Sequence, residues 1–153
     1  MNTSSSAKNL DSQAIPVVNK KNYGNVIWGT GRRKTAIAQV RLVPKGNGKV
    51  IINDKSIEDF FRGNKRQSMF ATQSLNLAKG VAGYDFVVKV QGGGITGQAE
   101  AIRHGIARVL AKMDDKLRLL MRKEGYLTRD PRAVERKKAG QPKARKRFQY
   151  SKR

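Results

Sequence analysis

The sequence predicts an α+β domain that carries a long basic tail at its carboxyl end. Three observations lead there. Apolar residues alternate with period two at 36–42 and again at 84–90, and they change to a helical period from about residue 97. The last 25 residues then hold eleven Lys or Arg against Asp130 and Glu135 alone, with no apolar periodicity that could bury them against a core. The chain divides accordingly into 1–25, a flexible N-terminal extension; 26–128, a globular domain large enough for a modest core; and 129–153, an extended basic tail.

Taken in order, residues 1–21 are rich in Ser and Asn. They lack the hydrophobic centre of a signal peptide and are too poor in Arg for a transit peptide. In 35–43, Ala36, Ala38, Val40 and Leu42 fall on one face and Ile37, Gln39, Arg41 and Val43 on the other, which is a strand. Pro44-Lys45-Gly46-Asn47-Gly48 supplies turn chemistry and 49–53 returns as a β-rich run, so the pair reads as a hairpin. Ser56-Ile57-Glu58-Asp59 is a capping box with Asp in the usual Glu position, opening a short helix through Phe60 and Phe61.

A second helix is expected over 65–78, broken by the glycines of 80–83. Tyr84, Phe86, Val88 and Val90 then alternate with Asp85, Val87, Lys89 and Gln91 as a further strand, which stops at three glycines. From Gly97, the residues Ala99, Ile102, Ile106, Val109, Leu110 and Met113 form one helical stripe, with Arg103, Arg108 and Lys112 largely away from it. This is the core helix. A last helix, 115–123, ends before Gly125.

Charge decides the class of partner. The formal net charge is +22 over 153 residues; the tail accounts for +9 and residues 26–128 for +11. A polyanion therefore meets a folded surface as well as a tail, which favours RNA or DNA over an acidic peptide. Phe148 and Tyr150 among the tail cations suit stacking on bases. No run approaches the ~18 apolar residues needed to span a bilayer, and the basic stretches lack an apolar face, so no membrane partner is expected. The chain has no cysteine and a single histidine, His104, which exclude a disulfide framework, a thiolate metal site and a histidine zinc site.

Gly92-Gly93-Gly94-Ile95-Thr96-Gly97 fits the GxGxxG pattern of a dinucleotide loop, after a strand and before a helix. Beyond Gly97 the chain continues as helix and basic tail rather than as a second parallel strand ending in a ribose-binding acid, so no cofactor is expected. The same glycines, Gly92, Gly93, Gly94 and Gly97, remain candidates for a phosphate-binding turn, a role compatible with a tight strand-to-helix connection. His104 sits mid-helix between Arg103 and Gly105 and reads as a surface or RNA-facing side chain. Asp54, Glu58, Asp59, Asp85 and Glu100 lie at turns and helix starts, where capping explains them. Neither enzymatic activity nor a small-molecule substrate is expected.

Four stretches together resemble a known family: Gly29-Thr30-Gly31-Arg32-Arg33-Lys34-Thr35-Ala36, Gly92-Gly93-Gly94-Ile95-Thr96-Gly97-Gln98-Ala99, Leu127-Thr128-Arg129-Asp130-Pro131-Arg132, and Glu135-Arg136-Lys137-Lys138. With the ending Ser151-Lys152-Arg153, they are similar to bacterial and plastid small-subunit ribosomal protein S9, in order from about Ile27 to the end. The resemblance implies a ribosomal S5 domain 2-like fold, with a small mixed sheet packed on helices, seated on ribosomal RNA in the head of the small subunit. It implies ribosomal RNA contacts from Arg32, Arg33 and Lys34, and extends that expectation to Arg103 and to the tail cations Arg129, Arg132, Arg136, Lys137 and Lys138. Lys143, Arg145, Lys146 and Arg147 continue the series.

In that family the tail's end reaches the anticodon stem-loop of peptidyl-site transfer RNA, which would assign Lys152 and Arg153 to its phosphates. Neighbouring ribosomal proteins of the head are implied as partners, and a bacterial cytoplasm or plastid stroma as the location. The family often has Ala-Pro before its closing Gln and aromatic, where this chain has Arg147 and Phe148, and Gly140-Gln141-Pro142-Lys143 also departs from the usual pattern. A free RNA-binding module or RNA chaperone is the competing reading of the same charge.

Overall fold

In the computed structural model, residues 26–78, 81 and 83–151 are described; the predicted extension 1–25 and the tail tip, Lys152 and Arg153, lie outside them. The architecture is α+β. Five strands, β1 (Trp28–Arg33), β2 (Ala36–Pro44), β3 (Val50–Ile52), β4 (Lys55–Ser56) and β5 (Tyr84–Gln91), form one mixed sheet in the order β1-β2-β5-β3-β4. β1 and β2 pair antiparallel, β2 and β5 pair antiparallel, and β3 and β5 pair parallel.

β2 follows its alternation: Ala36, Ala38, Val40 and Leu42 are buried, and Gln39 between them is exposed. The predicted hairpin of β2 with the run after it does not form, because β5 occupies the place between them. The loop at 45–49 is instead wrapped around the start of β5. Gly46 N–H donates to the Gly83 carbonyl, and the Asp85 carboxylate accepts from Asn47 and Lys49 N–H at 2.8 and 2.9 Å. Turn chemistry marks where the chain bends, whereas β5 wins the neighbour position through Phe86, Val88 and Val90, which join the same core as Val40 and Ile52.

The hairpin that does form here is β3–β4, through Asn53 and Asp54 at φ 46° and 62°, a two-residue connection of the primed type. Asn53 also prolongs the β3–β5 ladder with its side chain, donating to the Val90 carbonyl and accepting from Val90 N–H, each at 2.9 Å. β1 had no alternation to announce it, since its inward positions are Gly29 and Gly31.

Among the described residues four helices complete the fold: α1 (Ile57–Phe60), α2 (Lys65–Leu77), α3 (Ile95–Met113) and α4 (Asp115–Lys123). Ser56 caps α1 as its sequence predicts, accepting from Asp59 N–H at 3.1 Å and donating its hydroxyl to the Asp59 carboxylate at 2.6 Å. Asp114 caps α4 through Lys116 N–H, and Gly125 at φ +73° ends it. α3 begins two residues before Gly97. It is buried beyond its predicted stripe, at Ala101, Gly105 and Ala107 as well, because β1 and β2 cover one side of it and α2 and α4 pack on others. No described helix is long and apolar enough to cross a membrane.

Candidate nucleic-acid interface

Three of the stretches that are far apart in sequence meet at one end of the sheet. Arg32 and Arg33 end β1, and Lys34 opens the turn to β2. Gly92, at φ +72°, lies so close to this turn that a Cβ there would fall 2.5 Å from the Thr35 carbonyl oxygen. Only a residue without a side chain fits that backbone shape and that contact. Gly93 follows at φ +66°, Gly94 is the N-cap of α3, and Gly97 lies inside the helix, its Cβ position 3.6 Å from the Arg33 carbonyl oxygen. The Gln98 side chain donates to the Gly92 carbonyl at 3.1 Å and closes the turn. After α3 the chain runs to α4 and the tail, so among the described residues the βαβ unit of a dinucleotide fold is not completed.

Within this cluster the side chains divide sharply. Arg32 and Lys34 are exposed, while Arg33 is only 8% exposed. Its guanidinium reaches Glu100 of α3 through Nε, the Arg132 carbonyl through one terminal nitrogen at 2.7 Å, and Asp130 through the other at 3.1 Å. Asp130 is also held by Arg132, whose backbone N–H and side chain both donate to it. The hydrogen bonds from the Arg132 side chain hold the Asp130 carboxyl well below the usual carboxylate range.

Arg103 is engaged too. Its guanidinium lies over the Phe70 ring at 4.0 Å and the Tyr126 ring at 5.0 Å and donates to Gln73 at 3.0 Å, joining α2, α3 and the segment after α4. Burial is the main cause lowering its pKa. His104, expected as a surface or RNA-facing side chain, is half-buried between β1 and the segment after α4. Its Nδ1 accepts from Arg32 N–H at 3.3 Å, and it bonds the Leu127 backbone. Burial, then the Arg108 cation, pushes its pKa down, so the ring is neutral near pH 7.

His104, Arg108 and Lys112 are four residues apart and so share one side of α3. They meet the outer edge of β1 in sequence: Arg32 N–H, the Thr30 carbonyl at 2.5 Å and the Trp28 carbonyl at 2.7 Å. Each outward polar group of that edge strand so named is thereby paired. The helical period sets Arg108 and Lys112 largely away from the apolar stripe, and the position of β1 gives them carbonyl partners.

In the tail, Arg129, Arg132, Arg136, Lys137, Lys138, Lys143, Arg145, Lys146 and Arg147 are all exposed, as are Phe148 and Tyr150. Glu135 pairs with Arg145, whose Nε donates to it at 2.8 Å, and that hydrogen bonding lowers the Glu135 pKa. Both acids of the tail are thus taken up by arginines. Glu100 and Asp130, the acids that organise the cluster, were not singled out as functional by sequence; the one hint is the Asp130-Pro131-Arg132 stretch, whose spacing allows a carboxylate to accept from the N–H two residues on. No group of acids and histidine suited to a metal ion occurs among the described residues. A family model described as ribosomal protein S9/S16 matches residues 31–153.

Proposed function

The chain belongs to the ribosomal protein S9/S16 family and is a structural protein of the small ribosomal subunit, and from that premise we propose that it binds small-subunit ribosomal RNA with both domain and tail. The domain contributes the exposed Arg32 and Lys34 beside the glycine turn of Gly92, Gly93, Gly94 and Gly97. The tail contributes a run of exposed cations from Arg129 to Arg147 that continues toward peptidyl-site transfer RNA, where Lys152 and Arg153 meet phosphates. Other proteins of the subunit head are its neighbours.

One observation carries this reading. The tail's two acids are each held by arginine, Asp130 by Arg33 and Arg132 and Glu135 by Arg145, so what the tail presents outward is cationic. Arginine offers a planar fork of donors matched to phosphate oxygens, and lysine a mobile point charge. Phosphate contacts position without reading sequence, which suits a protein that must hold every transfer RNA alike. A charged hydrogen bond contributes about 1.5–3 kcal/mol at best and is weakened by salt. Two residues at the tip therefore tune affinity, while the many cations behind them anchor the chain.

Sedimentation of an extract through a high-salt gradient, following the chain by peptide mass, tests the assignment. Co-migration with small subunits after the wash is expected. Release to the top fractions would instead support a free RNA-binding module or chaperone.

A further inference from the structure

We infer that Arg33 is a positioning residue for the tail: its guanidinium, buried at the domain surface, clamps residues 130–132 and so sets the direction in which the cationic tail leaves the domain. The inference rests on the proposed RNA reading for its functional meaning, and it deepens that reading by separating cations that face the ligand from one that orients them.

The geometry carries it. All three guanidinium nitrogens are committed to different groups: Nε to Glu100 of α3, one terminal nitrogen to the Arg132 carbonyl at 2.7 Å, the other to Asp130 at 3.1 Å. Two of those three acceptors belong to the start of the tail. Asp130 is at the same time closed on Arg132 N–H at 2.9 Å and on the Arg132 side chain at 2.8 Å, with Pro131 between them fixing φ. Residues 130–132 are therefore a short rigid unit hung on one side chain.

Arg33 is itself enclosed, being 8% exposed at the end of a strand whose inward glycines press against α3. Arg32 and Lys34, its neighbours in sequence, point outward and are exposed. A run of three cations thus does two jobs: the outer two are free to meet phosphate, and the middle one is spent on protein. Lysine does not reproduce it, because its three donors radiate from a single nitrogen and do not span acceptors spread around a planar fork.

The absence of cysteine allows clean double labelling of the full chain. Spin labels at Met69→Cys on α2 and Val134→Cys on the tail, both exposed positions, report the tail's direction, and labels at Met69→Cys and Leu119→Cys report the domain alone. The parent chain should give one narrow distance population for both pairs. Asp130→Asn, a change on the tail side that leaves the core untouched, and Arg33→Lys should each cost the 69–134 pair its single narrow population while the 69–119 pair is unchanged. A 69–134 distribution that stays narrow in both variants would overturn the inference. So would equal broadening of the 69–119 pair, which would make Arg33 a general support of the domain. No RNA enters this measurement, so its failure leaves the ribosomal RNA reading standing, and loss of subunit co-migration leaves the clamp standing.

Discussion

Gly31 of β1 and Gly105 of α3 meet backbone to backbone: a Cβ on Gly31 would lie 1.9 Å from the Ala101 carbonyl oxygen and 2.4 Å from the Gly105 nitrogen. That approach sets the distance between strand and helix, and everything at this end of the sheet depends on it. It places the Arg33 side chain over Glu100, and it brings the β1 edge within reach of His104, Arg108 and Lys112.

Gly31→Ala should therefore force β1 off α3. Overpacking against backbone atoms that cannot repack costs about 1–3 kcal/mol or more, which denaturant unfolding of the full chain would read as a lower midpoint at unchanged slope. Gly125→Ala makes a useful contrast, since its Cβ would meet nothing within 4 Å and only the positive φ opposes it.

Much of the fold is legible in the sequence. β2, β5, α2 and α4 lie within a residue of where their periodicity puts them, and Ser56 caps α1 as its spacing requires. What local pattern could not show is adjacency and environment. A turn after β2 gave no sign that β5 would intervene, and two glycines in β1 removed the alternation that reveals a strand. The same limit governs the site. Arg32, Arg33 and Lys34 look equivalent as a run of cations, and only burial beside Glu100 and Asp130 distinguishes the middle one.

His104 makes the domain's stability depend on pH in a range where no other side chain ordinarily titrates, because it is the single histidine. Its folded pKa is lowered, chiefly by burial. The stability it contributes is thus complete above the ordinary histidine pKa of about 6.5 and is lost as pH falls through the lower folded value. Unfolding midpoints measured from pH 7 to pH 5 should decline, and His104→Gln should flatten that slope. An equally steep decline in the variant would place the titrating group elsewhere.

Arg108→Ala combined with Lys112→Ala should expose the carbonyls of Thr30 and Trp28 along the β1 edge. An unpaired strand edge is a template for pairing with another chain. Sedimentation velocity at rising protein concentration should then show self-association in the double variant and a single monomeric species in the parent. A monomeric double variant would mean that the edge is protected by other means.

Removing residues 129–153 should make RNA binding much less sensitive to salt. With roughly 0.7 of a unit of slope per neutralised phosphate on single-stranded RNA, a tail of net charge +9 accounts for about 6 units in a plot of log affinity against log salt. A slope nearly equal to that of the full chain would show that the domain, not the tail, supplies the phosphate contacts.

Small subunits carrying the full chain can be compared with subunits whose chain ends at Ser151. Peptidyl-site transfer RNA affinity, titrated at low and moderate salt, should be weaker without Lys152 and Arg153, with normal incorporation of the protein and a deficit that shrinks as salt rises. Equal affinity at both salt concentrations would contradict a tail that reaches transfer RNA.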